Sequence, residues 1–264
     1  MESVTMSDML GQDVKCTGVR GSFDRAAHSY DGFSTIQRSV AKELCALIGD
    51  IDDADTILDV GCGTGHVGSE ISNRGRLFQI DISEKMCGVA SGKNFGFTIN
   101  CDMQAMPFPA NFFSVVVSSM AVHWAQDICA SLHGMLRVLS GTGRGLFISV
   151  PVRGTLEELS VCERLVNRGQ RFTFRDTKFF TEIISSLGGK VEYVQCKEYT
   201  LKHKTCIQLL SSITKTGAQF FGGKAGTARD ILDVCRTYSN LFSRDGMVVS
   251  SWNVAYFIIK KQFY

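Results

Sequence analysis

The chain has 264 residues, enough for one large domain or for a core with a substantial insertion. Apolar residues make up 44% and charged residues 20%, the balance of a globular protein, and only 3 prolines and no low-complexity stretch leave no obvious linker. A formal net charge of +2 is too small to suggest a general nucleic-acid binder, which needs a concentrated basic surface. The ten cysteines are scattered without a CxxC pair, so neither a zinc site nor a dithiol motif is supported; no metal is expected, and a reducing cytoplasmic compartment is the default. Met1 to Asp13 carries acidic residues and lacks the pattern of a signal peptide. The longest apolar stretch, Val248 to Ile259, is broken by Ser250, Ser251 and Asn253, too short and too polar to span a bilayer, so a soluble protein with no membrane partner is expected.

Along the chain, Phe33, Ile36, Val40, Leu44, Leu47 and Ile48 repeat at helical spacing. An acidic connection (Asp50, Asp52, Asp53, Asp55) leads into a predicted strand, Thr56 to Val60. Strand patterns recur at Leu77–Ile80, Phe97–Ile99, Phe113–Val117 and Gly145–Val150, separated by helical patterns at Val67–Asn73, Glu84–Ser91 and Ile128–Leu139. Strands alternating with helices predict an α/β fold with a parallel sheet covered on both faces. After Val150 the rhythm changes: helices at Leu156–Val166 and Thr177–Leu187, a strand at Val191–Leu201, helices at Thr205–Ile213 and Thr227–Leu241, and a last strand at Val248–Ile259. Two helices between the final strands cannot both be crossovers, so they are read, with the N-terminal helix, as a cap over the sheet's ligand edge. The predicted layout is N-terminal helices at 1–50, a Rossmann-like core at 51–201, a helical cap at 202–246 and a final core strand at 247–264. Arg164, Arg168, Arg171, Arg175, Lys202, Lys204 and Lys215 make the second half mildly basic, as solvated helix faces or as a docking surface for an acidic partner.

The strongest motif is Asp59-Val60-Gly61-Cys62-Gly63-Thr64-Gly65, directly after the first strand and before a helix. A turn this tight needs backbone angles that side chains resist, and a ligand must approach the main chain closely. The next strand ends in Gln79-Ile80-Asp81, where an acid is placed to accept from both hydroxyls of an adenosine ribose. The third ends in Asn100-Cys101-Asp102-Met103, where Asp102 is placed to receive an adenine amino group. Each aspartate alone is a common strand-end residue; three in order are not. Gly63, Gly65 and Gly68 formally satisfy the dinucleotide fingerprint GxGxxG. Asp59, however, sits poorly beside a pyrophosphate and suits the ammonium of a methionine moiety, which favours S-adenosylmethionine over a dinucleotide.

With Asp81 and Asp102, DVGCGTG resembles the signature of class I methyltransferases. Three further segments narrow the resemblance: Phe23-Asp24-Arg25-Ala26-Ala27-His28-Ser29-Tyr30 with Gln37 downstream, Val115 through His123-Trp124, and Gly154-Thr155-Leu156-Glu157-Glu158-Leu159. From about Phe23 onward the chain resembles the malonyl-acyl carrier protein O-methyltransferases of biotin synthesis. That resemblance implies a mostly parallel sheet with its last strand antiparallel and a helical cap. It also implies a cytoplasmic enzyme that methylates the free carboxylate of a malonyl thioester, presented by an acyl carrier protein or by coenzyme A. Departures from the pattern are Leu139-Ser140-Gly141-Thr142-Gly143, which lacks a customary proline, a Lys215 one residue nearer Gly217-Ala218 than the pattern has it, and the segment from Phe220 to Asp230.

A carboxylate is ionised at neutral pH and needs no general base to attack a sulfonium methyl. Such a site must align the reactants and exclude water, which supplies roughly 7–11 kcal/mol of a barrier. It also needs a donor that orients the carboxylate, for which Arg171, Arg153 and Lys215 are candidates. Tyr30 and Gln37 are expected to close over the cofactor. His123 is placed to hydrogen-bond the substrate carboxylate, and Trp124 equally to pack against the cofactor. The expected catalytic set is Tyr30, His123 and Arg171; the cofactor set is Tyr30, Gln37, Asp59, Gly61, Gly63, Gly65, Asp81, Ile82, Asp102 and Met103. Three other readings stay open: a methyltransferase acting on another small molecule, a methyltransferase-like assembly factor of respiratory complex I that hydroxylates an arginine, and a cofactor-binding protein without turnover.

Overall fold

The computed structural model describes residues 16–72, 74–167, 172–218 and 227–262. The sheet consists of β1 (Thr56–Val60), β2 (Arg76–Asp81), β3 (Phe97–Asn100), β4 (Val115–Ser119), β5 (Gly145–Pro151), β6 (Gly189–His203), β7 (Ser243–Arg244) and β8 (Met247–Lys261). Their spatial order is β3-β2-β1-β4-β5-β8-β6, with β7 paired onto β8. Strands β1 to β5 pair in parallel, and β8 runs antiparallel between β5 and β6. The order reverses at β1, whose neighbours are β2 and β4, so the ligand crevice of an open α/β sheet falls outside the carboxyl ends of these strands.

Strict alternation along the strands explains why both faces are covered. Ile57, Val115, Val117 and Phe147 point into one core, with Val40, Leu44 and Leu159. Leu58, Val116, Leu146 and Ile148 point into the other, with Leu132, Met135 and Phe180. Every residue of β5 is buried, as a central parallel strand between two helical layers must be. Each fully buried aliphatic side chain contributes roughly 1.5–3 kcal/mol.

The helices are α1 (Cys16–Ala26), α2 (Tyr30–Phe33), α3 (Thr35–Ile48), α4 (His66–Ile71), α5 (Glu84–Gly92), α6 (Ile128–Val138), α7 (Glu157–Leu165), α8 (Thr177–Ser186), α9 (Cys206–Lys215) and α10 (Ala228–Phe242). Short polar residues start several of them: Ser83, Asp127, Asp176 and Thr205 each accept a hydrogen bond from a first-turn amide. Thr227 and Asp230 form a reciprocal capping box on α10. Among the described residues no helix is long and apolar enough to cross a membrane.

The fourth strand starts at Val115, two residues later than its apolar pattern predicts, and runs on to Ser119. Phe113 makes only an isolated bridge to Leu139 and instead packs its ring against Phe78, Phe108 and Phe112. The two late helices divide their tasks. The chain leaving α9 reaches the ligand crevice at Thr216 and Ala218, whereas α10 packs on α7 and β8. There Tyr238 donates from its hydroxyl to the Val249 carbonyl at 2.6 Å.

Two polar latches tie the N-terminal helices down over the crevice. Ser83 donates to Asp24 at 2.6 Å. Asp31 accepts from Thr64 in the glycine loop at 2.5 Å and from Lys93 at 2.6 Å.

Candidate active site

A cleft of about 1160 Å³, open solvent at its mouth included, lies at the carboxyl ends of β1 to β4. Its floor is the turn after β1. Gly61 has φ +75°, and a side chain there would collide with Ala121. Gly61 and Cys62 both donate their amides to the Ile80 carbonyl, pinning the turn to β2. Gly63 donates to Asp81 at 2.8 Å.

Asp59, at the end of β1, is fully buried, and neither carboxylate oxygen has a hydrogen-bond partner within the protein. Burial first, and then the nearby Asp81, push its carboxyl up to about 8, and the adjacent Gln79 amide offsets this only in part. Asp81 accepts from the Gly63 and Ser83 amides, which hold its acidity closer to normal; burial still raises it to about 6. The Gln37 Oε1 is likewise buried without a partner. A buried acid and a buried carbonyl oxygen, both unmatched and both lining this cleft, suit a cation with N–H donors.

Tyr30 lies beside His66, their rings 5.8 Å apart, and burial together with Asp81 and Asp31 raises the phenol's affinity for its proton. His66 is held by Ser34 at 2.8 Å, and burial lowers its ring to about 4. It is therefore neutral near pH 7, and its 3.9 Å approach to Asp31 is no ion pair there. Asp102 starts a short 3-10 turn and accepts from the Gln104 backbone and side chain. Past β4, Met120 takes a left-handed φ of +53°, and Val122–Trp124 forms a second 3-10 turn that presents His123 to the cleft. Burial pushes the His123 ring down to about 3, so it is neutral, and its Nδ1 has no partner. Trp124 meets the edge of Phe23 at 5.5 Å, closing the cleft between α1 and β4.

The structure brings Tyr30, Gln37, Asp59, Gly61, Gly63, Asp81, Ile82, Asp102, Met103 and His123 into one lining. Gly65 stands apart: it is the N-terminal cap of α4 at φ +90°, facing Gln79, Phe95 and Ala90 rather than the cleft. Arg171 lies outside the described residues. Arg153 is exposed, 3.6 Å from Asp176, and Lys215 sits 4.3 Å over the Phe33 ring; neither lines the cleft. Pattern reading passed over His66, Thr216 and Trp252, which do line it and carry no motif of their own. Among the described residues no group of three or more His, Cys, Asp or Glu is arranged to hold a metal.

The family model described as a methyltransferase domain matches residues 58–147, from the end of β1 into β5. Malonyl-acyl carrier protein O-methyltransferase of Herminiimonas arsenicoxydans is 31% identical over 252 residues, covering 91% of this chain and 94% of that one. The chain belongs to this methyltransferase family. The biotin biosynthesis bifunctional protein BioHC of Saccharophagus degradans is 26% identical over 92% of this chain. This chain spans 46% of that longer protein. The solved YcgJ protein of Bacillus subtilis superposes with a TM-score of 0.62 at 16% identity, over 84% of this chain and 99% of that one, a likeness of fold. A methyltransferase reading gives the unmatched Asp59 a purpose that a dinucleotide enzyme, with its pyrophosphate, does not.

Proposed function

We propose that this enzyme is an S-adenosylmethionine-dependent carboxyl O-methyltransferase that esterifies the free carboxylate of malonyl-acyl carrier protein, an early step of biotin synthesis. One observation carries the cofactor assignment: a fully buried Asp59 without a partner, in the same cleft as an unmatched Gln37 oxygen and the glycine turn. S-adenosylmethionine held there supplies a methyl group on a sulfonium.

The residues divide the work by position. Asp59 and Gln37 accept from the amino-acid end of the cofactor, and ion pairing with its ammonium keeps Asp59 ionised. Asp81 accepts from the ribose, while Ile82, Met103 and Asp102 border the adenine. Gly61 and Gly63 let the main chain approach closely. Tyr30, Phe23 and Trp124 roof the cleft and exclude water, which strengthens each polar contact beneath them.

His123 is neutral at working pH and is proposed to donate a hydrogen bond to the acceptor carboxylate, orienting it without neutralising it. Arg171 is retained as a second group for that carboxylate. The helices α1–α3, the core and the segment 202–246 are read as the N-terminal cover, the cofactor domain and the acceptor-side cap. The acyl carrier protein is the proposed partner and the cytoplasm the proposed compartment, the latter on cysteine usage.

The test is direct. Purified protein, S-adenosylmethionine and malonyl-acyl carrier protein are incubated, and the carrier is weighed by mass spectrometry. A gain of one methyl group, absent with acetyl-carrier protein, is the expected result. An unmodified carrier, with cofactor binding verified by calorimetry, would sink the malonyl assignment and leave the cofactor site standing.

A further inference from the structure

The cleft is electrostatically two-sided. Asp59 stands next to last in β1, Asp81 ends β2 and Asp102 follows β3, so its acids come from one half of the sheet. On the other side of β1 in the strand order, the lining comes from the ends of β4 and β8 and from the chain after α9, and no acid among the described residues lines that half. Nor does any Lys or Arg among the described residues line the cleft. An anionic acceptor is repelled by the first half, and among the described residues the groups that can receive it in the second are neutral donors.

Trp252 is such a donor. It lies on β8 two residues beyond Val254, the partner of Pro151 at the end of β5, where antiparallel β8 passes the carboxyl edge of the parallel strands. Its ring is 8% exposed and packed in the core, yet its Nε1 is buried without a hydrogen-bond partner, and the residue lines the cleft. Val248, Ser250 and Val254, on the same face of β8, are buried too, so packing alone is served by an aromatic without an N–H. A buried unmatched N–H is costly and calls for an explanation.

We infer that the Trp252 indole N–H donates to one oxygen of the acceptor carboxylate, beside His123, leaving the other oxygen free to attack the methyl group. The inference rests on the carboxyl-acceptor reading above. The O–CH₃ bond forms as the S–CH₃ bond breaks, with the electron pair leaving on sulfur; no proton moves. A neutral donor orients the carboxylate while keeping it ionised and nucleophilic, and it discriminates against acyl groups that lack the carboxylate, because the N–H then stays unmatched.

The chain has 2 tryptophans, so its ¹⁵N spectrum carries two indole N–H signals, assigned by W124F and W252F. With S-adenosylhomocysteine bound, adding malonyl-coenzyme A is expected to move the Trp252 signal downfield, and acetyl-coenzyme A to leave it in place. In turnover, W252F is expected to lower kcat/KM for malonyl-acyl carrier protein about 10- to 100-fold, the size of one hydrogen bond to a charged acceptor, with S-adenosylhomocysteine affinity unchanged. Wild-type turnover of the malonyl carrier with an unmoved Trp252 signal, or with a fully active W252F, would overturn this inference alone. If the wild type leaves the carrier unmodified, the carboxyl-acceptor reading falls and takes this one with it. Should W252F fail to fold, the wild-type spectrum decides, the assignment then resting on W124F.

Discussion

The two halves of the cleft are built by different means. The side of β1 to β3 carries backbone turns and acids at successive strand ends, each set in a short local segment. The side of β4, β5 and β8 is lined by His123, Thr216 and Trp252, which lie on three elements far apart in the chain. The first kind leaves a motif, because a glycine at positive φ cannot be replaced without strain. The second leaves none, because a donor on a packed strand needs only the right ring in the right place.

Substitutions on the two sides should therefore separate. The largest effect is expected from Asp59→Asn, which should weaken S-adenosylmethionine by about 3–5 kcal/mol, the cost of removing one partner of a buried ion pair. The same variant should leave the cofactor-free protein as stable as the wild type or more so, since a buried unmatched acid has been removed. Calorimetry and thermal unfolding read the two together, and a less stable Asn variant would contradict the assignment.

Gly61→Ala should cost about 2–4 kcal/mol of folding stability, from a strained φ and a collision with Ala121. Gly63→Ala, which meets only a strained φ of +54° and no neighbour, should cost less. Denaturant midpoints would show whether the two differ in that order.

Acidity gives a third contrast. The Asp59 carboxyl is raised from 3.8 to about 8 in the cofactor-free fold, so the folded protein binds a proton that the unfolded chain has lost across that window. Asp59's contribution to the stability of the cofactor-free protein should thus be fully present below about pH 4 and be lost as pH rises towards 8, and the difference in slope between wild type and Asp59→Asn isolates it from the opposite contributions of the buried neutral His66 and His123. Binding a cofactor ammonium reverses the preference, so S-adenosylmethionine should release protons near pH 7. Calorimetry in buffers of different ionisation enthalpy measures that release, and its absence would mean that Asp59 is already ionised.

The smallest effect belongs to the roof. The Lys93 and Asp31 side chains are 30% and 42% exposed, so Lys93→Met should cost at most about 1 kcal/mol. Its mark should be kinetic: a few-fold faster cofactor release in stopped-flow, with little change in acceptor KM.

The alternating core strands, the turn after β1 and the strand-end acids followed from sequence, because each depends on residues within one or two elements. The period-two burial of Ile57 against Leu58, and of Val115 against Val116, is written in the strands themselves. Gly65 shows the limit of motif reading: it belongs to the glycine pattern, yet its positive φ serves the start of α4 rather than the ligand. Arg153 and Lys215 have the charge a carboxylate wants, but one pairs with Asp176 at the surface and the other covers Phe33.

What the amino-acid sequence determined by itself was the α/β core and the cofactor end of the cleft, since local backbone geometry and hydrophobic period dictate both. Tertiary structure alone decided which side chains line the other half of the cleft. That choice depends on β8 turning back between β5 and β6, which sets the Trp252 indole beside the end of β5 across a separation of about a hundred residues. No local pattern encodes such a meeting, because only the packed sheet brings the two segments together.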